Sequence, residues 1–189
     1  MFNLNMPPAP PSQHNSIQSH NDLFSCHESQ HEKLNLICFP YAGGTSVTFS
    51  RWKKFLPSWI NVYPVILPGR EGRFKEVRQT DFTTLSAKLN TSLLPKLKDT
   101  PFAIYGHSMG AWFAHELAVF AENHQLTAKV LLVSGQRAPH LPYPFPSAQQ
   151  LDDRKLLDFI QRYCAIDQKL LEHPEWVAFT TALLRDDLA

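Results

Sequence analysis

Four short, largely apolar runs, each stopped by glycine or proline, narrow the fold more than any other feature of this chain. Leu34-Asn35-Leu36-Ile37-Cys38-Phe39 stops at Pro40, and Val62 to Leu67 stops at Pro68-Gly69. Pro101 to Tyr105 stops at Gly106, and Lys129 to Val133 stops at Ser134-Gly135. Runs this short and this apolar fit strands buried on both faces, as in a parallel sheet. Pro64 cannot donate to a ladder, which gives its strand an edge position or a bulge. Helical spacing separates the runs. It covers Val47 to Leu56, then Leu85, Leu89, Leu93 and Leu94 behind Asp81 as N-cap, then Ala111 to Ala121. Strand alternating with helix predicts an α/β fold with right-handed crossovers.

After Arg137 the alternation stops. Pro139, Pro142, Pro144 and Pro146 make a stiff link, and amphipathic helices are predicted over about Asp152–Tyr163 and Pro174–Leu188, with no further strand. Helices reached this way read as a lid over a pocket. Residues 1–33 are rich in Pro, Ser, His, Asn and Gln and hold too little apolar surface to offset chain ordering. They read as a disordered leader, and His14, His20, His27 and His31 lack the tight spacing of metal ligands. The expected organisation is a leader over 1–33, a partial core over 34–138, and a Pro-rich link with helical lid over 139–189.

Charge excludes some partners. Eighteen basic against seventeen acidic residues leave a net charge of +1, with no electrostatic reason to expect nucleic acid or an anionic membrane. No run is long enough to span a bilayer, and Met1 to Pro10 lack signal-peptide character, so a cytoplasmic protein is expected. Cys26, Cys38 and Cys164 have unrelated spacings that suggest neither a disulfide framework nor a metal site.

The chemistry centres on Gly106-His107-Ser108-Met109-Gly110, between a predicted strand and a predicted helix. In that context Gly-x-Ser-x-Gly is a nucleophile elbow, the mark of an α/β-hydrolase fold. The serine takes a strained turn, the glycines let strand and helix approach closely, and the helix N-terminus favours developing negative charge. Phe39-Pro40-Tyr41-Ala42-Gly43-Gly44, after the first strand, leaves backbone N–H groups exposed. An oxyanion hole needs one donor from such a loop and one from the residue after the nucleophile. These are Ala42 and Met109. A serine also needs a base and an orienting acid, each on a loop after a later strand. The loop behind Val133 holds no acid. His115 lies inside a helix, His124 closes it, His140 and His173 lie in the link and lid, and His107 adjoins the nucleophile and points away from it. No triad histidine or acid is assigned in this chain, and the chemistry calls for no cofactor and no metal.

Four segments together resemble the type II thioesterases, stand-alone editing enzymes of nonribosomal peptide and polyketide synthases. They are Phe39 to Gly44, Leu67-Pro68-Gly69-Arg70-Glu71-Gly72-Arg73, Gly106 to Ala111, and Val133-Ser134-Gly135-Gln136-Arg137-Ala138-Pro139-His140. Leu183-Leu184-Arg185-Asp186-Asp187 resembles the family's lid segment. The resemblance implies a mostly parallel α/β-hydrolase sheet with flanking helices and a helical lid. It implies hydrolysis of acyl thioesters held on phosphopantetheine arms of acyl or peptidyl carrier proteins, with Ser108 acylated. The family's acid and histidine lie beyond the lid, so the resemblance implies a C-terminally truncated chain with its last strands missing. Such a chain would be weakly active and poorly soluble, with an exposed strand edge at Lys129–Val133. Asp187 matches a lid position, not the catalytic acid. Two other functions stay open: a carboxylesterase or lipase of the same fold, and a non-catalytic carrier-binding remnant.

Arg70, Glu71 and Arg73 stand at the carboxyl end of the second strand, where they read as a salt-bridged loop or as contacts to phosphopantetheine or carrier. Phe145, Phe159, Tyr163, Trp176 and Phe179 read as lid core or as the lining of an acyl pocket.

Overall fold

The computed structural model describes residues 34–142, 147–163 and 166–189. The expected leader with its four histidines, and Phe145 and Cys164, lie outside the described residues. Strands β1 (Leu34–Phe39), β2 (Ile60–Pro64), β3 (Phe102–His107) and β4 (Leu131–Ser134) form one sheet in the order β2-β1-β3-β4, with every pairing parallel. Pro64 lies on β2, which is an edge strand of this sheet. The strand begins earlier than its apolar run because Ile60 and Asn61 pair with Leu34 and Asn35.

Side chains on β1 alternate between two cores. Ile37 and Phe39 face helices α1 (Phe82–Lys98) and α2 (Met109–Asn123). Leu36 and Cys38 face the other way, onto Phe49 and Trp52. Asp81 caps α1 as expected, accepting from the Thr84 N–H at 2.7 Å. The Val47–Leu56 segment is not an α-helix. It forms two 3₁₀ turns, Ser46–Phe49 and Trp52–Lys54, separated at Ser50 and Arg51. Two tight turns set Phe49 and Trp52 edge-on to each other (5.2 Å between centroids), and Trp52 edge-on to Tyr105 (4.7 Å), covering the sheet face that α1 and α2 leave open. The chain moves from β1 to β2 toward one edge, then to β3 and β4 toward the other. Its covering layer changes face at the same point, as crossovers of one hand require.

Helices α3 (Asp153–Gln161), α4 (Gln168–Leu171) and α5 (Pro174–Asp187) follow. Asp152 caps α3 by accepting from the Lys155 N–H at 2.8 Å, and Pro174 starts α5 where a missing N–H costs nothing. Four-residue α4 is too short to show a period and was not expected. Leu156, Leu157, Leu184 and Ala148 form a third core, and Ala42 of the loop after β1 packs against it. β4 is the opposite edge, with Leu131, Leu132 and Val133 between 37% and 54% exposed.

Candidate active site

The sheet reverses its direction of growth between β1 and β3, and in open α/β sheets such a point opens a crevice at the carboxyl ends of the strands. The loops leaving β1 and β3 meet there. Ser108 joins β3 to α2 with φ 53° and ψ −123°, outside every broad well for an L-residue. Such strain persists only where neighbours over-determine it. Here the Ser108 N–H donates to the Ser134 carbonyl (2.8 Å), and the Ala111 N–H donates to the Ser108 carbonyl (2.9 Å). Both glycines of the motif are required by packing. A Cβ on Gly106 would land on the Gly110 carbonyl, and one on Gly110 would land on the carbonyls of Phe39 and Pro40. The start of α2 therefore lies directly against the end of β1.

The loop after β1 is pinned at several points. Gly44 N–H donates to the Tyr41 carbonyl (2.8 Å), and Gly43 N–H donates to Asp187 Oδ2 (2.7 Å). The Gly44 carbonyl accepts from Arg70 Nη1 (3.1 Å). Ser46 donates to Glu71 Oε1 through its N–H (2.8 Å) and its hydroxyl (3.0 Å). Among the described residues, neither the Ala42 N–H nor the Met109 N–H donates to a protein acceptor. Met109 is the first residue of α2, where N–H groups lack intrahelical partners and carry the positive end of the dipole.

Ser108 opens onto a cavity of about 680 Å³. Its apolar wall is Leu67, Phe82, Leu85, Met109, Trp112 and Phe113, and the end of α5 closes it with Asp186, Asp187 and Leu188. The volume and the apolar wall suit a small-molecule chain. The lid aromatics are neither this lining nor core. Tyr163 and Phe179 are 64% and 58% exposed, and none of Phe159, Tyr163, Trp176 and Phe179 borders the cavity. The leucine stripe of α3 and α5 takes the buried face and turns Phe179 outward.

No described histidine lines this cavity. His107 Nδ1 is 2.9 Å from Ser134 Oγ, on the β4 side of the elbow. His115 is half exposed beside Glu116, and His124 Nδ1 lies 2.8 Å from the Phe120 carbonyl at the end of α2. His140 and His173 are exposed. Cys38 is fully buried in β1, and burial pushes its thiol far above the ordinary range, which leaves it inert.

The loop after β2 is salt-bridged, but not within itself alone. Arg73 pairs with Glu76 (2.6 Å), and that bond holds the Glu76 carboxyl below its usual range. Arg70 crosses to Asp187 (2.5 Å), and Arg78 to Asp186 (2.5 Å). Sequence reading missed these two partners. The available signal was a pair of acids in the last turn of a helix, where the dipole disfavours them unless a cation is near.

Comparison with known proteins agrees with this geometry. Linear gramicidin dehydrogenase LgrE of Brevibacillus parabrevis is 39% identical over 141 residues, which cover 74% of this chain and 53% of LgrE. The RedJ thioesterase from the prodiginine pathway of Streptomyces coelicolor is 33% identical with a TM-score of 0.75, over 83% of this chain and 62% of RedJ. YbtT, a type II thioesterase from the yersiniabactin pathway, is 25% identical with a TM-score of 0.75, over 88% of this chain and 68% of YbtT. The chain thus spans between about half and two thirds of the length of these relatives. The sequence model of the thioesterase domain matches residues 34–189, and the chain belongs to that thioesterase family.

Proposed function

We propose that this chain hydrolyses acyl thioesters carried on the phosphopantetheine arm of an acyl or peptidyl carrier protein, as an editing enzyme of secondary-metabolite synthesis. The observation that carries the reading is Ser108, held at φ 53° at the head of α2 and above an apolar cavity, with the Ala42 and Met109 N–H groups left uncommitted. A gramicidin S biosynthesis protein and thioesterases of the prodiginine and yersiniabactin pathways, among the relatives, support the carrier-bound substrate. No described helix is long and apolar enough to cross a membrane, and the proposal places enzyme and carrier together in the cytoplasm.

In this reading Ser108 Oγ attacks the thioester carbonyl carbon, and the carbonyl oxygen becomes an oxyanion held by the Ala42 and Met109 N–H groups. The C–S bond then breaks, the serine's proton ends on the departing phosphopantetheine thiol, and an acyl-serine remains in the cavity. Water attacks that ester, releasing a free acid and restoring the hydroxyl. Proton transfer needs a base, which no described imidazole supplies at Ser108. Residues α3 to α5 act as the lid, with the end of α5 forming one wall.

The test compares the chain with acyl-phosphopantetheinyl carrier and with simple esters of the same acyl group, alongside fluorophosphonate labelling. Labelling that vanishes in Ser108→Ala, with preference for the thioester, is expected. Ester preference would instead make the protein a carboxylesterase, and absence of Ser108 labelling would make it a carrier-binding remnant.

A further inference from the structure

The buried pair Arg70–Asp187 does something that its energetics do not explain. Both side chains are nearly inaccessible, at 5% and 7% exposure. A buried ion pair is often no more stabilising than a well-packed apolar pair. Asp187 also stands at the end of α5, with Asp186 before it, where the helix dipole disfavours anions. Three consecutive residues there reach in three directions, as the turn of a helix dictates. Arg185 holds the Ala148 and Leu151 carbonyls, Asp186 holds Arg78, and Asp187 holds Arg70 and the Gly43 N–H.

The contacts to the loop have a specific geometry. Asp187 Oδ2 accepts from both Gly43 N–H (2.7 Å) and Arg70 Nη1 (3.1 Å), and that same Nη1 donates to the Gly44 carbonyl (3.1 Å). One carboxylate and one guanidinium therefore grip both sides of Gly43-Gly44. The Gly44 N–H in turn holds the Tyr41 carbonyl (2.8 Å). A trans peptide is planar, so fixing the Tyr41 carbonyl aims the Ala42 N–H the opposite way. Leu184 of α5 packs on Gly43 closely enough that a Cβ added at Gly43 would stand 3.3 Å from Leu184 Cδ2, tighter than ordinary contact.

We propose that Arg70 and Asp187 are positioning residues for the oxyanion hole: they set the Ala42 N–H and tie its aim to docking of the α5 end on the loop. The proposal rests on the assignment of Ser108 as nucleophile and Ala42 as donor. It makes the lid a part of catalysis, since an undocked α5 end would leave the loop free to turn its donor away.

The test uses the purified full chain and the double variant Arg70→Met/Asp187→Leu, which removes both charges together and leaves neither buried alone. Three quantities are measured: the thermal midpoint, hydrogen exchange at the Gly43 amide, and labelling of Ser108 by an alkyl fluorophosphonate. Labelling forms an O–P bond and releases fluoride and a proton. The expected result is a cooperative melt, faster Gly43 exchange, and a maximal labelling rate lower by about 10- to 100-fold, the range for a misplaced donor. The maximal rate, not the half-saturating probe concentration, is the readout, because Asp187 borders the cavity and its replacement alters that wall. Maximal labelling within twofold of the parent chain overturns the proposal, as does unchanged Gly43 exchange. If the double variant does not melt cooperatively, Arg70→Lys, which keeps the charge balance and loses the two-pronged grip on Asp187 and the Gly44 carbonyl, gives the same comparison. A parent chain whose Ser108 never labels overturns the nucleophile assignment and the catalytic role of the pair. Gly43 exchange then still decides separately whether the pair holds the loop.

Discussion

Ser108 should make the protein less stable than a glycine in its place would. At φ 53° and ψ −123° its Cβ lies in a region that glycine enters freely and other residues rarely do. Strain of this kind amounts to about 1–3 kcal/mol. Its side chain makes no capping hydrogen bond, so truncation removes little else. Ser108→Ala keeps the Cβ and therefore the strain; Ser108→Gly removes both. At an unstrained position alanine is favoured over glycine by about 0.4–1 kcal/mol, through the unfolded chain. Here the order inverts, and Ser108→Gly exceeds Ser108→Ala by about 1 kcal/mol. In a chain of this size that is about 2–4 °C in thermal midpoint. Paired melts of the two variants in one buffer measure it, with fluorophosphonate labelling lost in both. An alanine variant melting at or above the glycine variant would show that the elbow stores no strain.

Other substitutions test the packing behind the elbow. Gly110→Ala places a Cβ on the Phe39 and Pro40 carbonyls, which are backbone and cannot step aside. It should cost at least the roughly 1–3 kcal/mol of an overpacked core, and a denaturant midpoint equal to the parent's would refute the close approach. Leu156→Ala, at a fully buried position of the third core, should cost about 2–5 kcal/mol by the same measurement. Stability should fall on acidification. Hydrogen bonds from Thr84 to Asp81, from the Lys155 N–H to Asp152, and from Arg73 to Glu76 hold these carboxyls below their usual range. The folded state then binds fewer protons than the unfolded one near and below pH of about 4, so this stability is present above that pH and lost beneath it. A urea midpoint flat from neutral pH to about pH 3 would contradict that sign. Leu132→Lys on the exposed β4 edge should reduce concentration-dependent association, seen as a lower weight-average mass in sedimentation. Unchanged association would move the sticky surface elsewhere.

The parallel sheet was readable because a strand buried on both faces has to be apolar at nearly every position, and Leu34–Phe39 is. Asp81 was readable as a cap for an equally local reason: its carboxylate bonds the N–H of Thr84, three residues on. The 3₁₀ turns at Ser46–Phe49 and Trp52–Lys54 were not distinguishable from helix, since over one turn a period of 3.0 places the same aromatics inward as one of 3.6. The cavity wall was misjudged in kind. Aromatic residues of the lid stand at helical spacing without reaching it, while the wall comes from the loop after β2, the start of α1 and the elbow helix, which only the tertiary fold assembles.

The same limit explains why the sequence presents the elbow and hides its support. Gly-x-Ser-x-Gly is five residues whose constraint is wholly local: a strained φ, two missing Cβ atoms and a helix start. Arg70 and Asp187 are 117 residues apart, and each alone reads as an ordinary surface charge. Burial changes what they mean. A charge sealed from water must be matched in position as well as sign, and here the match runs through Gly43 and Gly44 to the peptide that carries the Ala42 N–H. A nucleophile can be set by its own turn. A donor on a glycine loop cannot, because two adjacent glycines leave the backbone too many alternatives. The loop that is cheapest to bend is therefore the one held by the farthest-reaching contacts. Substitutions at Arg70 or Asp187, outside the elbow and outside the donor loop, are where reactivity of Ser108 should be most sensitive for the least change in the elbow itself.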